Sequence, residues 1–349
     1  MKKIALLFTV FPISAFAASE AEIALTTALS HARENCSGVS AKMENIKKMA
    51  GIGTAVNAVG TAAGVGGVAS GVIKQKTDVE MAGTMGEKAG IDLIIEKLKQ
   101  KQLSPENQNL LKQGVSISPD LEKNLEKLAA EMSESGMEEK INDLEKKSDE
   151  LQNKINQQQK KSDTAGNVRT GMFAVDTVSN VAGAVVSSKT IVNDDFVEQI
   201  KKCTESVAEL RDARVRAKVE DGGMGLTQNM DISQKIIEKC GEYEYVNLTP
   251  LKNLGKGAVA ANSIGSVTGV TATITSALGN SKHLSDMDFR TKQGLSDVKK
   301  YESMNTASNV LGGVTTAASL TGTVLNAIQI KEAKKILDIS SECEGALQW

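Results

Sequence analysis

An all-α fold is what this sequence predicts, and three observations predict it. Aromatic residues make up only 3% of the 349 residues, and four are prolines. The strong helix formers Ala, Lys, Glu, Gln and Leu are abundant where strand formers would be needed for a sheet. Small residues recur at steps of four and three along the chain, which is the period of a helix and not of a strand.

The chain begins Met1-Lys2-Lys3, continues with an apolar run from Ile4 to Ile13, and closes that segment with Ala15-Phe16-Ala17. A positive start, a short apolar run and a small-x-small ending form the pattern of a secretory signal peptide, with cleavage expected after Ala17. The run is too short to span about 30 Å of hydrocarbon as an anchor. A periplasmic or secreted protein is therefore expected. The mature chain then keeps Cys36, Cys203, Cys240 and Cys343. An even count in an exported chain reads as two disulfides.

Composition excludes several classes of function. The formal net charge is −2, so there is no electrostatic footprint for nucleic acid. Outside the signal segment the aromatic residues are Phe173, Phe196, Phe289, Tyr243, Tyr245, Tyr301 and Trp349, too few to build stacking platforms. No HExxH motif, phosphate-binding loop or nucleophile elbow occurs. His31 and His283 are the only histidines, one within a helical stretch and the other in a turn, and neither has a nucleophile partner in the sequence. Asp194-Asp195 and Asp286-x-Asp288 lack the ligand count of a calcium loop and fit helix starts better. No catalytic, cofactor-binding or metal-ligating set is expected, and no enzyme.

One motif recurs four times. Asn57-x-x-Gly60 is followed by Gly64, Gly67 and Gly71; Asn180-x-x-Gly183 by Ser187 and Thr190; Asn262-x-x-Gly265 by Gly269, Ala272 and Ser276; and Asn309-x-x-Gly312 by Thr316, Ser319 and Thr323. Steps of four and three place these residues on one stripe of a helix, where small side chains let a second helix approach backbone to backbone. Glycine inside a helix costs about 1 kcal/mol relative to alanine, so close packing must offset it. The recurrent Asn is expected to sit in the seam and set its register.

The order of cysteines and motifs reads Cys–motif, motif–Cys, then again Cys–motif, motif–Cys. This predicts an elongated up-down bundle of two duplicated αα-hairpins. Its arms are expected at roughly 20–76, 166–218, 229–280 and 286–337, with turns at Asp221-Gly222-Gly223 and Gly279-Asn280 and a cap at Ser285-Asp286. The organisation is then 1–17 signal peptide, 18–76 with 166–218 as the first hairpin, 77–165 as a charged insertion, and 229–349 as the second hairpin. Alternating arms exclude the pairing Cys36–Cys240 with Cys203–Cys343. The expected pairing is Cys36–Cys203 with Cys240–Cys343; Cys203–Cys240 with Cys36–Cys343 is the rival.

The insertion carries two Ser-Pro helix starts, Ser104-Pro105-Glu106 and Ser118-Pro119-Asp120. Farther on, Met137, Ile141, Leu144, Ser148, Leu151 and Ile155 repeat at a/d spacing. That seam fits a coiled-coil hairpin or oligomer contact, or an amphipathic helix resting on the bundle.

Two functions follow as expectations. The first is a non-enzymatic envelope scaffold that offers 77–165 to a protein partner or to another copy of itself. The second is a membrane-active helical protein. No charge occurs between Lys48 and Lys74, Lys256 and Lys282, or Glu302 and Lys331. Each gap exceeds the roughly 20 residues that cross a bilayer. These stretches are poor in Leu and Phe, and the soluble-bundle reading takes them as buried core.

Overall fold

The computed structural model describes residues 20–102, 134–220, 227–287 and 292–348. It is all-α: no strand occurs among the described residues. The helices are α1 (Glu20–Cys36), α2 (Val39–Gln102), α3 (Glu134–Ser188), α4 (Asp194–Glu220), α5 (Thr227–Cys240), α6 (Thr249–Asn280) and α7 (Lys292–Leu347). Short 3₁₀ turns lie at Gly241–Tyr245 and Leu284–Asp286.

Several boundaries differ from the sequence expectation. The arm expected to end at 76 runs on without interruption to Gln102. The second arm is broken at residues 189–193, where Asn193 Oδ1 accepts the amide of Phe196 at 3.0 Å and caps α4. The third arm is divided by the 3₁₀ turn and the extended residues before Thr249. Asn280 ends α6 as expected, whereas Ser285 lies in a 3₁₀ turn and does not cap α7, which starts at Lys292. The two Ser-Pro starts and the Asp221-Gly222-Gly223 turn lie outside the described residues, as do Phe289 and the signal segment. Gly38 links α1 to α2 with φ of +77°, the one left-handed residue among those described and a position suited to glycine.

The chain divides into two compact units, with divisions inside α2, α6 and α7 and at the end of α3. Unit one holds residues up to Gly51, Lys189–Lys256 and Ala327–Trp349. Its core is conventionally apolar. Leu25, Leu29, Met43, Phe196, Leu210, Ile236 and Leu251 are buried together. On α4 the buried residues Phe196, Ile200, Cys203, Val207 and Leu210 follow steps of four and three, and this stripe packs on α1. The same core contains the disulfides Cys36–Cys203 and Cys240–Cys343, with Cα–Cα distances of 4.7 and 4.6 Å. Two such bridges fit an oxidising, extracytoplasmic location.

Unit two holds Ile52–Ser188 and Gly257–Asn326. One part is an antiparallel pair formed by the end of α2 and the start of α3. Ile141 and Leu151 pack with Ile91, Ile95 and Leu98, with Met137 and Leu144 against them. Ser148, in register with that seam, donates to Asp92 at 2.5 Å. Lys99–Glu145 at 2.5 Å and Lys147–Glu87 at 3.0 Å flank the seam. Thus the a/d residues of the insertion pack within this chain. The remainder of unit two is a four-helix arrangement of α2, α3, α6 and α7 whose interior has a different chemistry, described next.

The disulfides close segments of 167 and 103 residues. Loops of that size restrict the unfolded chain by about 5 kcal/mol each. The double substitution of Cys36 and Cys203 by Ser is expected to lower the stability of unit one by that order, read from a urea unfolding midpoint.

Candidate functional site

The interior of unit two is lined by small and polar side chains. Asn57, Lys74, Arg169, Asp176, Asn180, Ser187, Asn262, Ser276, Ser319 and Asn326 are all buried. Phe173 is the one fully buried aromatic residue between Ile52 and Ser188. The polar residues of α3 explain the arrangement, because Arg169, Phe173, Asp176, Asn180, Gly183 and Ser187 step by four and three along one face.

Glycine and asparagine meet across helices. A methyl group on Gly322 would come 2.5 Å from Asn57 Nδ2 and 2.8 Å from Asn262 Oδ1; one on Gly183 would strike the same two side chains. Gly265 lies against Asn180, Gly71 against Asn309, and Gly53 against Asn326, while Gly67 and Gly312 lie against the Phe173 ring. Gly60 and Gly64 face Asp176, and Gly269 faces Thr177. The sequence motif therefore supplies both parts of the contact. The Asn of one helix fills the space left by the Gly of a facing helix.

The cross-helix bonds set the register of α3 against α7. Asn180 Nδ2 donates to Ser319 at 2.7 Å, Ser187 to Asn326 at 3.4 Å, and Thr190 to Gln329 at 3.0 Å, each across 139 residues. Ser319 and Gly322, not Asn309 and Gly312, are thus level with Asn180 and Gly183. Asn309 instead accepts from Arg169 at 3.5 Å. Asn262 donates to Ser187 at 3.4 Å, whereas both amide atoms of Asn57 lack a hydrogen-bond partner among the described residues.

A network of charged residues lies deeper along the same interior. Lys74 Nζ donates to Ser162 at 2.8 Å and to Tyr301 at 2.5 Å, and lies 3.3 Å from Asp78. Ser162 and Tyr301 in turn donate to the two oxygens of Asp78, at 2.5 and 2.8 Å. Arg169, wholly buried, donates to Ser276 and Asn305 at 2.8 Å and to Asn280 at 3.4 Å. A cavity of about 220 Å³ lies beside this network, lined by Asp78, Tyr301 and Asn305 among others. The expected insertion boundaries at 77 and 165 cut through the network, since Asp78 and Ser162 belong to it. Charge gaps in the sequence drew attention to Lys74 only as the end of an uncharged run. The signal that could have placed Arg169 inside was its seven-residue spacing from Asp176.

The remaining candidates are peripheral. His31 contacts Glu209 at 3.2 Å and His283 contacts Asp163 at 3.4 Å, both exposed. Asp194 is exposed in the first turn of α4, and a hydrogen bond from Lys252 holds its carboxyl below the usual range. Burial in unit one pushes the Tyr243 phenol up to about 12. The sulfurs of Cys36, Cys240 and Cys343 lie within 4.8 Å of one another, but all are oxidised and offer no thiolate to a metal.

Protein-family models, curated proteins and solved structures give no match to this chain.

Asp78→Ala is expected to destabilise the protein by about 3–5 kcal/mol, because it strands Lys74 in the core without its counter-charge. Glu145→Ala, at the exposed Lys99 pair, is expected to change stability by less than about 1 kcal/mol. Chemical unfolding of the two variants side by side measures the contrast.

Proposed function

We propose that this is an exported, non-enzymatic helical protein of the cell envelope whose small-residue bundle enters a membrane. One observation carries the reading: the polarity of the four-helix part of unit two is reversed. Its interior holds Asn, Ser, Thr and charged residues, while its large aliphatic side chains point outward. Val59, Val65 and Val72 on α2 are exposed, as are Val175, Val178 and Val185 on α3, Ile264, Val267 and Ile274 on α6, and Val310, Leu320 and Val324 on α7. Scattered exposed aliphatics are ordinary in soluble proteins, but a band on every helix of a bundle marks an interaction surface. On α3 the band runs from Val168 to Val185, about 26 Å at 1.5 Å per residue, close to the hydrocarbon thickness.

Average hydropathy conveys this weakly. Among the described residues one stretch, within 20–100, is long and apolar enough by length and composition to cross a membrane, at mean hydropathy 1.4 with 33% of it buried. The other helices average lower because Gly, Ser, Thr, Asn and charged residues dilute their aliphatic ones. In this reading that moderation has a use. Segments only marginally apolar one by one pass through an export channel, and the assembled bundle then offers a continuous apolar exterior. The matching disulfides, each joining the two arms of one expected hairpin, support two duplicated hairpins as the frame. The periplasm or the exterior is the proposed destination, and the charged pair of α2 and α3 is the part proposed to meet a protein partner or a second copy.

Liposome flotation of the oxidised mature protein tests the reading. Wild type is expected to float. Val178→Lys and Val267→Lys, at positions 67% and 70% exposed, are expected to stay folded and lose flotation. On a water-facing surface both would be neutral, so wild type remaining in the soluble fraction returns the bundle to the scaffold reading. Deleting 84–155, which spares Asp78 and Ser162, is expected to leave export and flotation intact while removing any co-purifying partner.

A further inference from the structure

Asp176 stands alone as a charge in the middle of unit two. Between Arg169 and Lys189 it is the only charged residue of α3; α2 has none between Lys48 and Lys74, α6 none between Lys256 and Lys282, and α7 none between Glu302 and Lys331. Its side chain is fully buried. Oδ1 accepts from Ser319 Oγ at 2.5 Å and from Asn180 Nδ2 at 3.0 Å. Oδ2 has no hydrogen-bond partner among the described residues.

That bare oxygen packs against Gly64 of α2. A methyl group on Gly64 would collide with both Asp176 Oδ2 and Thr316 Oγ1. Thr316 donates its own proton to the carbonyl of Gly312 at 2.8 Å, so its lone pairs remain available. Asn180 Oδ1, a further buried acceptor with no partner among the described residues, lies against Gly265 on α6 and not at Gly64. The oxygens at Gly64 thus all accept, and nothing donates to them. The nearest charges do not answer this. Arg169 is two turns away along α3, about 10 Å, with its donors directed at Ser276, Asn305, Asn280 and Asn309. Lys74 and Asp78 on α2 pair with each other, and α6 and α7 bring no charge to this level.

A buried carboxylate without a counter-charge is strongly unfavourable unless a cation neutralises it. We infer that Asp176 Oδ2 and Thr316 Oγ1 form a binding site for a small monovalent cation, either a proton or a sodium ion. One positive charge balances the one carboxylate, whereas a divalent ion would leave the core positive. The site stands on the geometry of unit two and goes beyond the membrane reading, since it exists whether the band faces lipid or a protein.

The experiment is thermal unfolding of the full-length oxidised protein in detergent. Sodium chloride is compared with choline chloride at equal ionic strength, and choline is compared at neutral and mildly acidic pH. Wild type is expected to melt about 5 °C or more higher with the bound cation at saturation, and Asp176→Asn is expected to lose that difference. Thr316→Val separates the sources: a sodium effect disappears with the hydroxyl, whereas an acid effect survives. Wild type indifferent to both conditions, or Asp176→Asn keeping the wild-type response, overturns the inference. If Asp176→Asn does not fold, infrared spectra of wild type decide. Absence of both a protonated-carboxyl band and a sodium-dependent shift of the carboxylate band overturns it as well. Flotation is read separately, so a failed cation site and a failed membrane reading give different results.

Discussion

The contact of Asn57 and Asn262 with Gly183 and Gly322 is the constraint on which the rest of unit two depends. Two carboxamides from α2 and α6 occupy the space that two missing side chains leave on α3 and α7. Helices carrying larger residues there would be held apart. Once these four positions meet, the helical period fixes what lies one and two turns away. Asp176 comes against Gly60 and Gly64, the Phe173 ring comes between Gly67 and Gly312, and Arg169 comes within reach of Ser276 and Asn305. Helix propensity disfavours so many glycines, and packing of this closeness is what makes them tolerable.

The two units solve the same problem by opposite means. Unit one excludes water with Leu, Met, Phe and Ile and locks the result with two disulfides. Unit two has few large side chains to bury and depends on interlocking polar contacts, which are directional and demand correct register. Two bonds at a common offset of 139 residues hold α3 to α7 in one register. A slip of one residue would turn Asn180 and Ser187 away from their partners together.

Much of this was legible in the sequence because it depends on local periodicity. The low aromatic content and the four-and-three steps of small residues are enough to predict helices, and the Gly and Asn at those steps are the residues that touch. The alternation of cysteines and motifs excludes the diagonal pairing and leaves two, of which the structure has Cys36 with Cys203 and Cys240 with Cys343. What periodicity does not contain is register between helices. Asn309-x-x-Gly312 matches the motif by identity, yet Ser319-x-x-Gly322 is level with Asn180-x-x-Gly183, because a serine hydroxyl serves the same hydrogen bond as a carboxamide. Likewise Lys74 reads as the polar end of an uncharged run. Helical spacing alone puts Asp78 one turn from Lys74, but only the fold brings Ser162 and Tyr301 to the pair, from two other helices and, for the tyrosine, across 227 residues. The breaks at 189–193 and 241–248 do carry local signals, Asn193-Asp194-Asp195 at one and Gly241 with Thr249-Pro250 at the other, but the continuous arms expected there run through them.

Polarity pattern and hydropathy disagree in these helices, and the disagreement is informative. A buried helix of a soluble bundle is apolar on its inner face and polar outside. On α3 the inner face carries Arg169, Asp176, Asn180 and Ser187, and the outer one Val175, Val178 and Val185. Averaging over both faces gives a modest value that a scan by mean hydropathy passes over, although the moment points the opposite way from that of a soluble helix. In water, polar groups gathered inside and aliphatic groups left outside are each in the less favourable place. Beside lipid or an apolar partner the outer face is matched. The inner face then becomes the only place where backbone-close helices can satisfy one another's polar groups. The glycines that admit Asn57, Asp176 and Asn262 into that interior thus serve the same end as the valines outside. They let polar groups withdraw from the surface that the aliphatic band presents.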